Sequence, residues 1–473
     1  MPGPRTSASN CPARLALATG LEIAPSVTVG AVYTDNLFLT PTGQVDDLVT
    51  RIDPSIAISH ASERIQLAAD YTYSYLKYSE TEDSDSSFSN GSADLDLALV
   101  KDTFYLESTA EISQALIDPE DGVWYTNVPI VDNRTDETRL ETSPHLVTDV
   151  FGVGVDMRYV LGSISYDSDE IQDVDYQEAH TAITSREVGK GLSWGLFHDY
   201  EVYEYETPPD SKSQLAYATL TYGFRDAGDF FVFVSGGMES DYEDFTTGSL
   251  EDPYWAVGFR RLTARSLVEA SVGDRSYGTA YNARIRRELN EGSIEFAYRE
   301  DPSVDEQVDA QRPAVGDDPT PAPEPPSGLD RPGVGDRFVY KIASATLIKE
   351  IGRNTVEAVA FWTERDQFLV REDGIPVEDL VQDSETEVGA VLRLQRTLGR
   401  RTAVGLEGEL SNREFRDGNN DQVNALRGFA TYLAGAHVNL EGWVARYQQR
   451  GSDVASDNYV EYQAGLTATY NFR

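Results

Sequence analysis

The chain holds a single cysteine, Cys11, among 473 residues. That excludes a disulfide framework and a cysteine-built metal site. Histidine is also scarce. The five are His60, His145, His180, His198 and His437, and none stands beside a Gly-x-Ser-x-Gly turn. No run of about 18 apolar residues occurs, so no segment reads as a transmembrane helix. Basic residues are few: 39 Lys and Arg against 80 Asp and Glu, a net charge of −41. Nucleic acids bind to basic surfaces, so none is expected as a partner.

What the chain does have is alternation. In the last sixteen residues, Asn458 to Arg473, the even positions read Val460, Tyr462, Ala464, Leu466, Ala468, Tyr470, Phe472. The odd positions read Glu461, Gln463, Gly465, Thr467, Thr469, Asn471. A period of two makes a strand with one apolar and one polar face. The pattern recurs along the chain. Ile65, Leu67, Ala69, Tyr71, Tyr73 and Tyr75 alternate with Gln66, Asp70, Thr72 and Ser74. Leu95, Leu97 and Leu99 alternate with Asp94 and Asp96. An aspartate face belongs in water and a leucine face in lipid or a dry core. About 22 such stretches follow one another, with 20 or 24 reached by merging or splitting one hairpin. Tyrosine is abundant at 26, against 18 Phe and 5 Trp, which suits aromatic girdles at two membrane interfaces.

The connections sort by strand parity. Those after even strands are short, as in His60-Ala61-Ser62, Val100-Lys101-Asp102 and Leu398-Gly399-Arg400. Those after odd strands are mostly longer and acidic, among them 34–46, 79–88, 115–136 and 370–383. Short periplasmic turns and long outer loops mark an outer-membrane barrel. The expected fold is therefore all-β: a closed antiparallel transmembrane β-barrel of about 22 strands in the cell outer membrane of a Gram-negative cell.

Two segments break the pattern. Residues 1–21 read as a disordered leader remnant: Arg5 and Arg14 flank no apolar run beyond Leu15-Ala16-Leu17-Ala18. The barrel is expected over 22–473. Within it, residues 301–335 hold Pro302, Pro313, Pro319, Pro321, Pro323, Pro325, Pro326 and Pro332 among many acids. That composition reads as a mobile, polyproline-like extracellular loop.

No catalytic, cofactor-binding or metal-binding residue stands out. The acidic runs Asp83-Ser84-Asp85 and Asp167-Ser168-Asp169-Glu170 do not fit a calcium loop. By alternation, Asp156, Arg158, Arg225, Glu357, Arg365, Glu387, Arg393, Glu407 and Glu409 point into the lumen. A barrel this wide is not filled by its own side chains, so its lumen is a water channel or is plugged. No separate plug domain of about 100 residues is expected before the barrel. Opposed lumen charges would set a transverse field and select solutes. The competing reading is that these residues pair with neighbours and stiffen the wall.

The stretch Ser26 to Thr40, containing Tyr33-Thr34-Asp35-Asn36, then Asp47-Leu48-Val49-Thr50 and Asp53-Pro54-Ser55-Ile56, resembles the outer-membrane barrels associated with PEP-CTERM/exosortase and exopolysaccharide loci. Thr142-Ser143-Pro144 and the aromatic C-terminal strand extend the likeness. The resemblance implies a part in exporting or presenting surface polymer, with polysaccharide-export proteins as partners. Tyr470 and Phe472 resemble the signal read by the barrel-assembly machinery, although here Arg473 follows the final aromatic. Outer-membrane lipid and lipopolysaccharide are the other expected partners. The expected function is a porin-like passive channel without covalent chemistry and not an enzyme. The alternatives are a non-conducting structural barrel whose acidic loops hold matrix or ions, and a barrel hydrolase.

Overall fold

The alternating stretches become strands, and the strands form one ring. The computed structural model describes residues 20–81, 84–117, 125–185, 191–206, 210–224, 229–243, 250–303, 338–367, 384–415, 419–451 and 458–472. The first eleven strands are β1 Leu21–Thr34, β2 Asp47–Ala61, β3 Ile65–Tyr78, β4 Ser86–Val100, β5 Phe104–Ala115, β6 Thr135–Val150, β7 Val153–Tyr166, β8 Val174–Ser185, β9 Gly191–Tyr205, β10 Ser211–Gly223 and β11 Asp229–Glu243. The second eleven are β12 Leu250–Thr263, β13 Ser266–Arg275, β14 Gly278–Leu289, β15 Gly292–Ser303, β16 Phe338–Ile351, β17 Asn354–Gln367, β18 Glu385–Thr397, β19 Thr402–Glu414, β20 Asn420–Leu433, β21 Val438–Gly451 and β22 Tyr459–Asn471.

Each strand pairs antiparallel with its sequence neighbour, and β22 pairs back onto β1, from Ser26↔Asn471 to Thr34↔Gln463. The 22-stranded sheet therefore has no free edge. With strands about 4.8 Å apart and tilted by about 40°, such a ring is about 44 Å across at the backbone.

The alternation sorts the two faces. Val29, Tyr33, Ile52, Tyr73, Trp255, Val257, Phe259, Leu392, Leu406 and Leu466 are exposed on the outer wall. They form the apolar surface a bilayer covers. Inside, glycines make room for large rings on the next strand. A Cβ on Gly465 would lie 2.5 Å from the Trp443 ring, and one on Gly405 would lie 2.2 Å from Phe429. Gly389–Phe361, Gly162–Tyr176 and Gly258–Phe233 repeat the device. The aromatic lies flat over bare backbone and covers its hydrogen bonds.

The connections mostly follow parity; at the outer end, however, Ser276 and Tyr277 alone join β13 to β14, and 206–210 and 415–419 are no longer than 186–190 and 224–228 at the periplasmic end. At the periplasmic end, Phe151-Gly152 turns β6 into β7 with both residues at positive φ, 56° and 83°. This left-handed pair matches the twist of the flanking strands.

Three sequence expectations change. Leu21, expected in the leader, already belongs to β1, and residues 1–19 lie outside the described residues. Asp301, Pro302 and Ser303, expected in the proline-rich loop, complete β15, and 304–337 lie outside the described residues. The connection 115–136, expected among the long outer loops, folds inward over its described part. The reason is an apolar stretch inside it, Val128-Pro129-Ile130-Val131, which finds apolar wall to cover.

Candidate functional site

The site is the lumen, and its outer mouth is narrowed by chain. Inward-facing Val32, Val49, Leu76, Tyr78 and Phe88 near the tops of β1 to β4 are buried, although they line a wide barrel. Leu37, from the β1–β2 connection, and Val128, from the β5–β6 connection, lie over them. Tyr78 donates its hydroxyl to the Val128 carbonyl at 2.9 Å, and Ile130 N–H donates to the Leu37 carbonyl at 2.9 Å. The same segment reaches past the seam. Gln463 on β22 donates to Thr126 Oγ1 at 2.9 Å. Tyr125 stacks on Tyr447 of β21, ring centroids 4.9 Å apart and nearly parallel at 11°. Its hydroxyl is buried without a partner, and burial, with Glu409 next in effect, pushes the phenol well above its ordinary value. Residues 125–130 thus run along the inner wall from β5 to β21, crossing under the seam.

Below that constriction, charged side chains line the wall. Glu357, Arg393, Glu407, Arg427 and Glu441 form one belt across β17 to β21. Arg393 meets Glu357 at 3.0 Å and Glu407 at 3.3 Å; Arg427 meets Glu407 at 3.3 Å and Glu441 at 2.5 Å. Arg427 also lies against the Phe429 and Trp443 rings, at 5.3 and 5.4 Å. Higher up, Arg365 pairs with Glu385, and Arg413 bonds Glu387 at 3.2 Å. These residues are buried. Glu409 lies on the same face of β19, between Glu407 and Ser411. On the other side of the barrel, Arg158 pairs with Glu107, while His145 lies 3.0 Å from Glu107 and 2.9 Å from Asp156. The charges expected in the lumen are thus mostly tied to neighbours along the wall. Arg225 lies outside the described residues.

A different set stays open to the lumen. The inner faces of β3 to β6 carry Asp70, Asp94, Asp96, Glu107, Glu111, Glu137 and Glu141, against Arg139 and His145. Asp70, Asp94, Asp96 and Glu111 are exposed there, and Asp94 and Asp96 have no ion-pair partner among the described residues. The wall half a turn away is β14 and β15, since β15 stands eleven strands from β4 in a ring of 22. There arginines and glutamates pair off: Arg284 with Glu295 at 2.9 Å, Arg286 with Glu288 at 2.7 Å, and on the neighbouring strands Arg260 with Glu269 at 3.4 Å. The lumen therefore has one acidic wall facing a charge-balanced wall. Simple alternation marked Asp94 and Asp96 as water-facing, but only the closed ring places them opposite a neutral surface.

His180 completes the inner row on β8, 3.1 Å from Glu178 and 3.0 Å from Asp199. His198 bonds Gln214 on the outer wall, and His437 Nδ1 lies 3.1 Å from the Asn471 carbonyl. Among the described residues, none of these histidines is hydrogen-bonded to a serine.

The Tyr33-Thr34-Asp35-Asn36 stretch sits at the seam. Thr34 Oγ1 donates to Glu461 Oε1 at 2.6 Å. Asp35 accepts from the Tyr462 N–H at 2.7 Å, and its own N–H donates back to the Tyr462 carbonyl at 3.2 Å. Asn36 Nδ2 donates to the Val460 carbonyl at 3.1 Å and to the Thr40 carbonyl at 2.9 Å. The motif fastens β1 to β22 just where the ladder ends. At the opposite end of the seam, Phe472 N–H donates to the Pro25 carbonyl, and the Tyr470 and Phe472 rings meet edge to face at 5.1 Å.

No family model matches the chain, and no curated protein matches it in sequence. In structure it is similar to the FrpB iron transporter from Neisseria meningitidis. For the F3-3 variant the TM-score is 0.54 at 10% identity, covering 94% of this chain and 81% of that one. For the F5-1 variant the TM-score is 0.54 at 8% identity, covering 95% and 83%. The likeness is one of fold. The protein is a β-barrel of the outer membrane.

Proposed function

We propose that this barrel is a passive, cation-preferring diffusion channel whose outer mouth is narrowed by residues 125–130. The observation that carries the reading is the lumen's division into a packed mouth and an open, acidic lower wall. Buried Val128 and Thr126 cover the upper wall, while Asp94 and Asp96 below them stay exposed and unpaired among the described residues. Water-filled acidic surface at membrane depth belongs to a conduction path. Solutes would diffuse along it without covalent chemistry, and unpaired carboxylates would concentrate cations.

The finer proposal is that the solutes belong to polymer export at the cell surface. Its support is the resemblance of residues 26–56 to barrels of exopolysaccharide loci. On that reading polysaccharide-export proteins are partners in the periplasm, lipopolysaccharide surrounds the outer rim, and the assembly machinery reads Tyr470 and Phe472. The packing at the mouth favours a second reading, a non-conducting barrel that displays acidic loops. Planar-bilayer recording under a salt gradient separates the two. Steady currents with a cation-selective reversal potential support the channel, and silence at every voltage supports the structural barrel.

A further inference from the structure

The periplasmic rim is basic along one arc. On β12 the membrane-facing positions descend through Val257 and Phe259 to Arg261, and on β14 through Ile285 to Arg287. On β16 they descend through Leu347 to Lys349, and on β18 through Leu394 to Arg396. Each cation is followed on the same face by one more residue, Thr263, Leu289, Ile351 or Leu398, at the periplasmic turn. Standing on every second strand, they lie about 12 Å apart along the rim. Elsewhere this level carries rings instead: Tyr222 on β10, Tyr432 on β20 and Tyr470 on β22, all exposed.

The cations stand at the lower edge of the apolar band. From Lys341 to Lys349 the outer face of β16 holds only Ala343, Ala345 and Leu347. At about 2.5 Å of height per residue this is about 20 Å, near the band's about 25 Å. At the upper edge the charge is matched, because Lys341 pairs with Glu364 at 2.7 Å and with Asp366. At the lower edge it is not. Arg261, Arg287, Lys349 and Arg396 have no ion-pair partner among the described residues, and the three arginines are exposed. The carboxylates on these strand ends, Glu288 and Glu350, point into the lumen, where Glu288 holds Arg286 at 2.7 Å. The strands between offer Ser266, Gly292, Asn354 and Thr402 on the membrane side at this level. The turns below add the exposed Arg265, Arg353, Arg400 and Arg401 against a single acid, Glu291. Arg265 donates to Asn290 Oδ1 at 3.1 Å, tying one turn to the next.

We propose that this arc, from β12 to β19, binds the headgroups of anionic phospholipids in the inner leaflet of the outer membrane. A soluble partner could reach the turns, but the four strand cations lie on the wall that acyl chains cover. Their stems run down from Phe259, Ile285, Leu347 and Leu394, and their heads reach the headgroup level. Guanidinium groups match phosphate oxygens in pairs, and an unaccompanied row of cations favours a headgroup with net negative charge over a zwitterionic one. The barrel would thus carry a fixed collar of anionic lipid on one side of its lower rim. The proposal rests on the barrel's place in the outer membrane and stands whether or not the lumen conducts.

The test uses the full chain, reconstituted into vesicles of equal phosphatidylglycerol and phosphatidylethanolamine and extracted in mild detergent. Native mass spectrometry counts the lipids each barrel retains. The wild type is expected to retain phosphatidylglycerol about fivefold over phosphatidylethanolamine, the factor one Lys or Arg supplies near an anionic surface, and to lose that preference as salt is raised. Arg261→Gln, Arg287→Gln, Lys349→Gln and Arg396→Gln together should bring the ratio near one. Lys77→Gln with Arg446→Gln and Arg450→Gln, on the outer wall near the extracellular end, should leave it as in wild type. Heat-dependent gel mobility checks that each variant is folded. Should the fourfold variant fail to fold, Arg287→Gln with Lys349→Gln replaces it and should lose about half of the retained phosphatidylglycerol. A wild type without preference, or a folded strand variant that keeps it, overturns the proposal. So does loss of the preference in the extracellular set, or in Arg400→Gln with Arg401→Gln while the strand variant keeps it, which would assign binding to the turns.

Discussion

Replacing Tyr125 with alanine should loosen the constriction without disturbing the barrel. The ring contributes its stack on Tyr447, at 4.9 Å and 11°, and offset aromatic pairs add about 0.5–1.5 kcal/mol beyond burial. Truncating a fully buried aromatic costs about 3–5 kcal/mol. Tyr125 is only partly buried, so about 2–3 kcal/mol is the expected loss, below that range. At about 1.4 kcal/mol per factor of ten, the ratio of anchored to released segment should fall by about 30- to 140-fold. Single-channel recording reads this directly, as more frequent transitions to a larger conductance level. Tyr125→Phe supplies the internal control. The buried hydroxyl has no hydrogen-bond partner, so removing it relieves a desolvated group and should leave the mouth as tight or tighter. Unchanged conductance in Tyr125→Ala, or equal loosening by both variants, would refute the idea that this stack anchors the mouth.

Other perturbations test other parts of the reasoning. Leu466→Arg puts a charge on the lipid face of β22 and should cost roughly 2–4 kcal/mol if it lies near the midplane, measured by urea unfolding in liposomes; a neutral effect would contradict the register. Gly465→Val drives a side chain into the Trp443 ring, where a Cβ alone already lies at 2.5 Å. Overpacking of that kind costs about 1–3 kcal/mol, and a thermal unfolding midpoint equal to wild type would count against the ring-over-glycine packing. Arg427→Ala removes the cation between Glu407 and Glu441 and leaves two carboxylates on the wall. Breaking such a buried pair costs up to about 3–5 kcal/mol, so a silent variant would show the belt to be idle.

The strands were legible because each must satisfy two solvents at once. The period of two in Tyr462, Ala464, Leu466, Ala468 and Tyr470 reports lipid on one side and lumen on the other, and loop length reports which end is which. The inward fold of residues 125–130 was not legible from loop length. Its signal was local: Val128-Pro129-Ile130-Val131 is apolar chain with no strand partner, which makes sense only as a cover for Leu76, Tyr78 and Val49. Alternation also placed charges on a face without saying which would pair. Arg393 finds Glu357 and Glu407 because antiparallel register sets them side by side, and register depends on turn geometry that a face pattern does not encode. The Tyr33-Thr34-Asp35-Asn36 stretch was legible as a likeness; its bonds to Val460, Glu461 and Tyr462 required the ring to be closed.

The most direct test of the channel itself is reversal potential in planar bilayers, wild type against Asp94→Asn with Asp96→Asn. The account predicts steady wild-type currents that favour cations, and weaker cation preference in the double variant at similar conductance. A bilayer that stays silent with folded protein inserted, or a selectivity indifferent to both aspartates, would contradict it.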